Sequence, residues 1–254
     1  MTRPLVLLAN DDGYRSSGIA ALRAALEQFA DVVVSAPESE QSAASHALSL
    51  HRPLRLFRHG EREFSVDGTP ADCVYVALYA GKRVLPRWPD LVVSGLNRGV
   101  NLGDDVFYSG TVAAAREGAL KGVPSLAFSA APQADRDAAA ALSARIARDM
   151  LETGLRKPLL LSVNFPPGNS WPLRATRLGA RVYRDEVEFR NDPRGREYLW
   201  IGGPGVEHKP IAGSDTEAYD DGVVGLTPLV LDLWARERQD EVDEIRALVE
   251  RVDG

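Results

Sequence analysis

The chain has 254 residues, 44% of them hydrophobic and 26% charged, with a formal net charge of −6. That length buries a full core, as one large domain or two small ones, and the acidic balance argues against a polyanion-binding surface as the main business of the protein. A single cysteine, Cys73, excludes an internal disulfide and a cysteine-based zinc site. No apolar run approaches the roughly 18 residues of a membrane helix. The start, MTRPLVLLANDD, runs into a strand with acidic residues and does not read as a signal peptide, so a cytoplasmic protein with no membrane partner is expected.

In chain order, short apolar runs alternate with helical periodicity. PLVLLA (4–9) predicts a buried strand that stops at Asn10, Asp11, Asp12 and Gly13. A helix follows with Ile19, Leu22, Leu26 and Phe29 on one face and Ser16 or Ser17 as N-cap. DVVVSAP (31–37), DLVVSG (90–95), PSLAFSA (124–130) and KPLLLSVNFP (157–166) predict further strands. TVAAAREGALKG (111–122) and DAAAALSARIARDMLETGL (137–155) predict helices. Cys73, in the apolar setting ADCVYVALYA, reads as a buried structural thiol. Strands apolar throughout, alternating with helices, indicate an α/β architecture around a parallel sheet.

After about residue 170 the pattern changes. RATRLGARVYRDEVEFRND and REYLWIGG read as alternating strands around a DPRG turn, and GVVGLTPLVLDL as a late strand pair. EVDEIRALVERV predicts a terminal helix with Val242, Ile245, Val249 and Val252 on one stripe. The expected organisation is therefore a body over 1–170 and a hairpin-rich extension with a C-terminal helix over 171–254.

Ligands of a parallel sheet bind beyond the carboxyl ends of its strands. Three strand-end loops are chemically rich: Asn10-Asp11-Asp12-Gly13, the stretch from Ala36 to Ser42, and LNRGVNLGDD from Leu96. Asp11-Asp12-Gly13 fits either an Asx turn before a helix or an oxygen site for a cation, because adjacent carboxylates repel unless a cation sits beside them. Carboxylate, hydroxyl and carboxamide oxygens suit Mg²⁺, Mn²⁺ or Ca²⁺. YSGTVAAAREGAL then places Ser109, Gly110 and Thr111 at a helix start, where they either cap the helix or bind phosphate. A metal facing such a helix would polarise a phosphoryl group and activate a water.

Several stretches, in order and spanning nearly the whole chain, resemble the SurE (survival protein E) family of metal-dependent phosphatases acting on nucleoside monophosphates. They are LLANDDGYRSSGIAAL, VVVSAPESEQSAASHALSL, VDGTPADCVYVAL, DLVVSGLNRGVNLGDDVFYSGTVAAAREG, SVNFP, NDPRGREYLWIGG and SDTEAYDDGVVGLTPL. The resemblance implies a Rossmann-like, mostly parallel sheet with helices on both faces, plus a hairpin and C-terminal segment exchanged between subunits of a homodimer or homotetramer. It implies one divalent ion per subunit, Mg²⁺ or Mn²⁺, held by Asp11, Asp12, Ser42 and Asn97, with Asn101, Ser109, Gly110 and Thr111 on the substrate side. Asp11 and Asp12 are then the catalytic residues. The implied activity is hydrolysis of 5′- and also 3′-nucleotides by a metal-activated water, with short polyphosphate as a side substrate. Departures fall in the loops: YRSSGI lacks the frequent alanine-proline, Ala43 stands where glycine is frequent, His46 where Asn or His varies, and Gly225 for a common serine.

Rival functions fit less well. An aspartyl-phosphate phosphatase of the haloacid dehalogenase type separates its two aspartates by one residue, whereas Asp11 and Asp12 are adjacent. A nucleotide-binding sensor without catalysis is permitted by the fold class, although G-x-G-x-x-G and G-x-x-x-x-G-K-[ST] are both absent. Ser94 and Ser109 lack the G-x-S-x-G setting of a serine hydrolase.

Overall fold

A computed structural model of the protein describes residues 3–154, 159–183, 187–201 and 205–252. Its centre is a nine-stranded sheet. Numbered along the chain, the strands of the sheet and its flanks are β1 (Leu5–Ala9), β2 (Asp31–Pro37), β3 (Leu56–Arg58), β4 (Glu63–Val66), β5 (Leu91–Arg98), β6 (Ser125–Ala130), β7 (Leu160–Phe165), β8 (Leu173–Ala175), β9 (Arg181–Tyr183), β10 (Val187–Asn191), β11 (Glu197–Ile201), β12 (Val206–His208) and β13 (Val224–Leu229). The order in the main sheet is β3-β4-β2-β1-β5-β6-β7-β13-β8. The run from β4 to β7 is parallel throughout. β3 joins one edge antiparallel, and β13 pairs antiparallel with β7.

Helices α1 (Ser17–Leu26), α2 (Pro70–Tyr79), α3 (Gly110–Leu120) and α4 (Arg136–Glu152) cover the sheet, followed by α5 (Asp215–Asp220) and α6 (Gln239–Val252). The strand period of two sorts β1 between the two faces. Val6 and Leu8 pack with Ile19, Leu22, Leu26, Ala139 and Ala147 beneath α1 and α4. Leu5, Leu7 and Ala9 pack with Val74, Ala77 and Ala114 beneath α2 and α3. Full burial on both faces is why β1, β5 and β6 read as continuous apolar runs.

The predicted strands and helices are present; β3, β4, α2 and α5 come in addition to them, and two further differences concern Phe29 and GVVGLTPLVLDL. α2 was not expected, because ADCVYVALYA is apolar almost throughout and shows no amphipathic stripe. Its signal lies upstream: Thr69 accepts from the Asp72 amide, the Asp72 carboxylate accepts from the Thr69 amide, and Pro70 fills the first turn. Cys73 on this helix is buried. Phe29 lies just past α1 yet still packs against its core cluster. GVVGLTPLVLDL supplies one strand, β13, and not a pair. The hairpin forms as expected: β10 pairs β11, and Asp192–Gly195 make the turn, with the Gly195 amide donating to the Asp192 carbonyl at 2.9 Å. Among the described residues no helix is long and apolar enough to cross a membrane. On α6, Val242, Ile245, Leu248 and Val249 are all exposed; the side chain of Val252 lies outside the described residues.

Candidate active site

β1 delivers Asn10, Asp11 and Asp12 to the carboxyl edge of the sheet. Asn10 is fully buried, and its Nδ2 donates to the Gly13 carbonyl at 2.9 Å and to Ser16 Oγ at 2.8 Å. These bonds lock the turn in which the two carboxylates stand. Ser16 is also the N-cap of α1, accepting from the Ile19 amide. Burial pushes Asp11 up to about 6; the neighbouring Asp12 adds to the rise, and a hydrogen bond from the Thr111 hydroxyl offsets part of it. Asp12 is also raised, by burial first and by Glu40, against the lowering effect of the Arg98 amide that donates to it at 3.3 Å.

β5 brings the next group. Its register with β6 shifts between Ser94 and Asn97. Gly95 at the shift has φ +133°, and a Cβ there would lie 2.4 Å from the Phe128 carbonyl oxygen. This local irregularity re-aims the strand end, as bulges beside active sites do. Asn97 donates through Nδ2 to the Gly99 carbonyl at 2.9 Å, which leaves Oδ1 as an acceptor. Asn101 is clamped: its amide donates to Asn164 Oδ1 at 2.7 Å, its Nδ2 to Ser129 Oγ at 2.7 Å, and its carbonyl accepts from Asn164 Nδ2 at 3.0 Å. Ser42, in the loop after β2, donates to Glu40 at 2.6 Å and keeps its lone pairs.

α3 points its N-terminus at the carboxylates. Ser109 caps it, accepting from the Val112 amide at 3.0 Å. Gly110 permits the approach: a Cβ there would lie 2.8 Å from Asp11 Cβ and 3.0 Å from Pro70 Cγ. Asp11, Asp12, Ser42, Asn97, Asn101 and Ser109 all line one open cleft of 1460 Å³. Gly110 and Thr111 stand behind Asp11 and support it. His46 does not line the cleft; its Nε2 meets the buried Glu117 on α3 at 2.8 Å. Reasoning from sequence gave no role to Arg98, Asn164 or Asp105. The one legible hint was the lone asparagine ending the apolar run of SVNFP.

Among the described residues no three His, Cys, Asp or Glu side chains cluster as a metal site. A cation here would rest on two carboxylates completed by the neutral oxygens of Ser42 and Asn97. That all-oxygen set fits Mg²⁺ or Mn²⁺, which keep open positions for water and phosphate. The raised proton affinity of Asp11 also fits: a buried carboxylate beside a half-buried one is poorly compensated by protein donors alone.

A protein-family model for survival protein SurE matches residues 6–185. The chain belongs to the SurE family. A 5'-nucleotidase SurE of Sorangium cellulosum (strain So ce56) is 62% identical over 241 residues, covering 93% of each chain. The 5'-nucleotidase SurE of Myxococcus xanthus (strain DK1622) is 49% identical over 234 residues, covering 90% of this chain and 88% of its own. The crystal structure of the SurE protein from Aquifex aeolicus superposes with a TM-score of 0.83 at 37% identity, over 96% of this chain and all of that one. The SurE fold is thus an α/β fold with a mostly parallel sheet, small antiparallel C-terminal sheets and a terminal helix.

Proposed function

We propose that this SurE chain is a 5′-nucleotidase, a divalent-metal-dependent phosphomonoesterase that converts nucleoside 5′-monophosphates to nucleoside and phosphate. The observation that carries this reading is the meeting of Asp11, Asp12, Ser42 and Asn97 with the capped N-terminus of α3 in one cleft. Relatives named 5'-nucleotidase at 62% and 49% identity supply the substrate class.

Held by Asp11, Asp12, Ser42 and Asn97, one Mg²⁺ or Mn²⁺ supplies Lewis acidity toward the phosphoryl group and water. The rest is done by the chain. The N-terminus of α3, reached in the cleft through its cap Ser109, turns the positive end of the helix dipole toward phosphoryl oxygens, while Gly110 and Thr111 hold Asp11 from behind. Ser109, whose oxygen already accepts from Val112, keeps its own proton to donate. Asn101 is immobilised on both its backbone groups and its Nδ2, so its free carboxamide oxygen is a fixed acceptor for a water or hydroxyl proton and not for phosphoryl oxygens. Thr111 occupies Oδ1 of Asp11, which leaves Oδ2 to orient the attacking water. Because Ser109 and the end of α3 address phosphate and not the sugar, the same site takes 3′-monophosphates and short polyphosphate as lesser substrates. In this reading residues 171–254 are exchanged between subunits of a homodimer or homotetramer built on the 1–170 body; the exposed Phe189, Leu199 and Trp200 of the hairpin and the exposed apolar stripe of α6 support it.

The test is phosphate release from AMP, 3′-AMP and an aryl phosphate by wild type and Asp12→Asn, with EDTA and then with Mn²⁺ or Mg²⁺ restored. Outer-shell changes at metal sites alone cost about 10–100-fold, so loss of this ligand is expected to cost roughly a hundredfold or more. Release that ignores both chelation and mutation would make the aspartates structural.

A further inference from the structure

The loop that carries Asp11 and Asp12 runs through Gly13, at φ +92°, into Tyr14. Tyr14 is buried and does not line the cleft. Its amide donates to the Pro37 carbonyl at 3.0 Å, while its hydroxyl finds no hydrogen-bond partner among the described residues. The side chain is therefore held by its ring. That ring lies flat on the imidazole of His59, with centroids 4.0 Å apart and planes 13° from parallel.

His59 comes from a distant segment, the turn between β3 and β4, none of whose residues lines the cleft. Its amide closes the turn on the Glu63 carbonyl at 2.9 Å. Its Nε2 meets Oγ of the buried Ser65 at 2.8 Å, and the Ser65 hydroxyl donates to Glu38. Because the one Ser65 proton goes to Glu38, Nε2 is the donor in its bond to Ser65. Glu38 opens the loop that reaches Ser42 four residues later, and its amide is tied to the Val66 carbonyl at 2.9 Å. The two loops also touch each other, the Gln41 amide donating to the Asp11 carbonyl at 2.8 Å. One imidazole thus lays its face on the loop of the two aspartates and turns an edge toward the loop of Ser42.

We infer that His59 is a positioning residue that fixes the spacing of these two loops, through Tyr14 on one side and through Ser65 and Glu38 on the other. It touches neither substrate nor ion. A small divalent ion tolerates little departure from its preferred geometry, so carboxylates on one loop and a hydroxyl on another serve it together only when the loops are held in register. The inference rests on the proposed ligand set for what the spacing achieves, and not for the stack itself.

The experiment titrates Mn²⁺ into wild type, His59→Ala and His59→Phe, reading free Mn²⁺ by electron paramagnetic resonance, and measures amide hydrogen exchange of the same proteins without metal. A quarter of the His59 side chain is exposed, at 25%, so its loss leaves the sheet intact. His59→Ala is expected to weaken Mn²⁺ binding about tenfold, the lower end of the cost of outer-shell changes, and to speed exchange at the Tyr14 and Gln41 amides. His59→Phe keeps the stack and is expected to recover most of both. Mn²⁺ affinity within twofold of wild type in His59→Ala would overturn the inference, as would exchange that rises equally through β1 and β5, the mark of a general loss of stability. The metal reading fails separately: if wild type binds no Mn²⁺, faster exchange confined to Tyr14 and Gln41 and reversed in His59→Phe still upholds the positioning of the loops, and unchanged exchange there overturns it.

Discussion

Asp11 sits in a gap that admits no side chain at position 110. Replacing Gly110 with alanine would put a Cβ 2.8 Å from Asp11 Cβ, so α3 must retreat from the carboxylates. Overpacking of this kind costs about 1–3 kcal/mol; Gly110→Ala is expected to lose that much in urea unfolding and to lose more activity on AMP than the stability change explains. Ala43 presents the opposite case. It takes φ 56° beside Ser42, a left-handed conformation that strains an L side chain by about 1–2 kcal/mol. Glycine is more costly to order, by about 0.4–1 kcal/mol, so Ala43→Gly is expected to gain on the order of 0.5 kcal/mol by the same measurement. A clear loss would mean that the loop conformation is held by more than its dihedral preference.

At the level of elements, the loop carrying Ser42 is fastened to α3. Ser45 donates through its amide to the Tyr108 carbonyl at 3.0 Å and through its hydroxyl to the Phe107 carbonyl at 2.7 Å. His46 completes the fastening on Glu117, which also meets Lys121 Nζ at 3.3 Å. Burial alone would raise Glu117, but the bonds to His46 and Lys121 outweigh it and hold the carboxyl below the ordinary 4.5. A carboxylate depressed in the folded state stabilises it fully above that ordinary value, and the benefit is lost as pH falls through the lowered one. Glu117→Gln is therefore expected to cost about 2 kcal/mol at neutral pH, the range of hydrogen bonds to a charged group, with the unfolding curves of variant and wild type converging in acid. A gap that stays constant with pH would assign the loss to packing.

For the whole molecule, the proposed metal and subunit contacts are testable through stability and mass. Ligand binding to the native state alone adds about 2.7 kcal/mol at a hundred times Kd. Mn²⁺ is therefore expected to raise the Tm of wild type by several degrees and to leave Asp12→Asn unmoved, with EDTA reversing the gain. The apolar stripe of α6 is exposed on the monomer, as is the apolar hairpin. Patches of that kind mark association sites. A chain truncated before Gln239 is expected to shift toward a smaller species in light scattering; an unchanged mass would overturn a subunit contact through α6.

The sequence by itself determined the parallel body, because strands buried on both faces are apolar without interruption and helices on a sheet repeat at 3.6 residues. It also pointed to the strand-end loops as candidate sites, since Asp11 and Asp12 come just after the run PLVLLA and Asn97 and Asn101 a few residues after DLVV. It missed α2, whose burial erases amphipathic contrast, and the short strands β3 and β4, and it split β13 into two. Only the tertiary structure decided how those residues serve. Three loops, 30 residues apart from Asp12 to Ser42 and 55 from Ser42 to Asn97, meet because parallel strands align their carboxyl ends. Nothing local says that His46 turns to Glu117 and away from the cleft, that Thr111 braces Asp11, or that Arg181 reaches Asp105. Those are contacts between distant segments, and their energies are settled by burial and by which donor finds which acceptor once the sheet has closed.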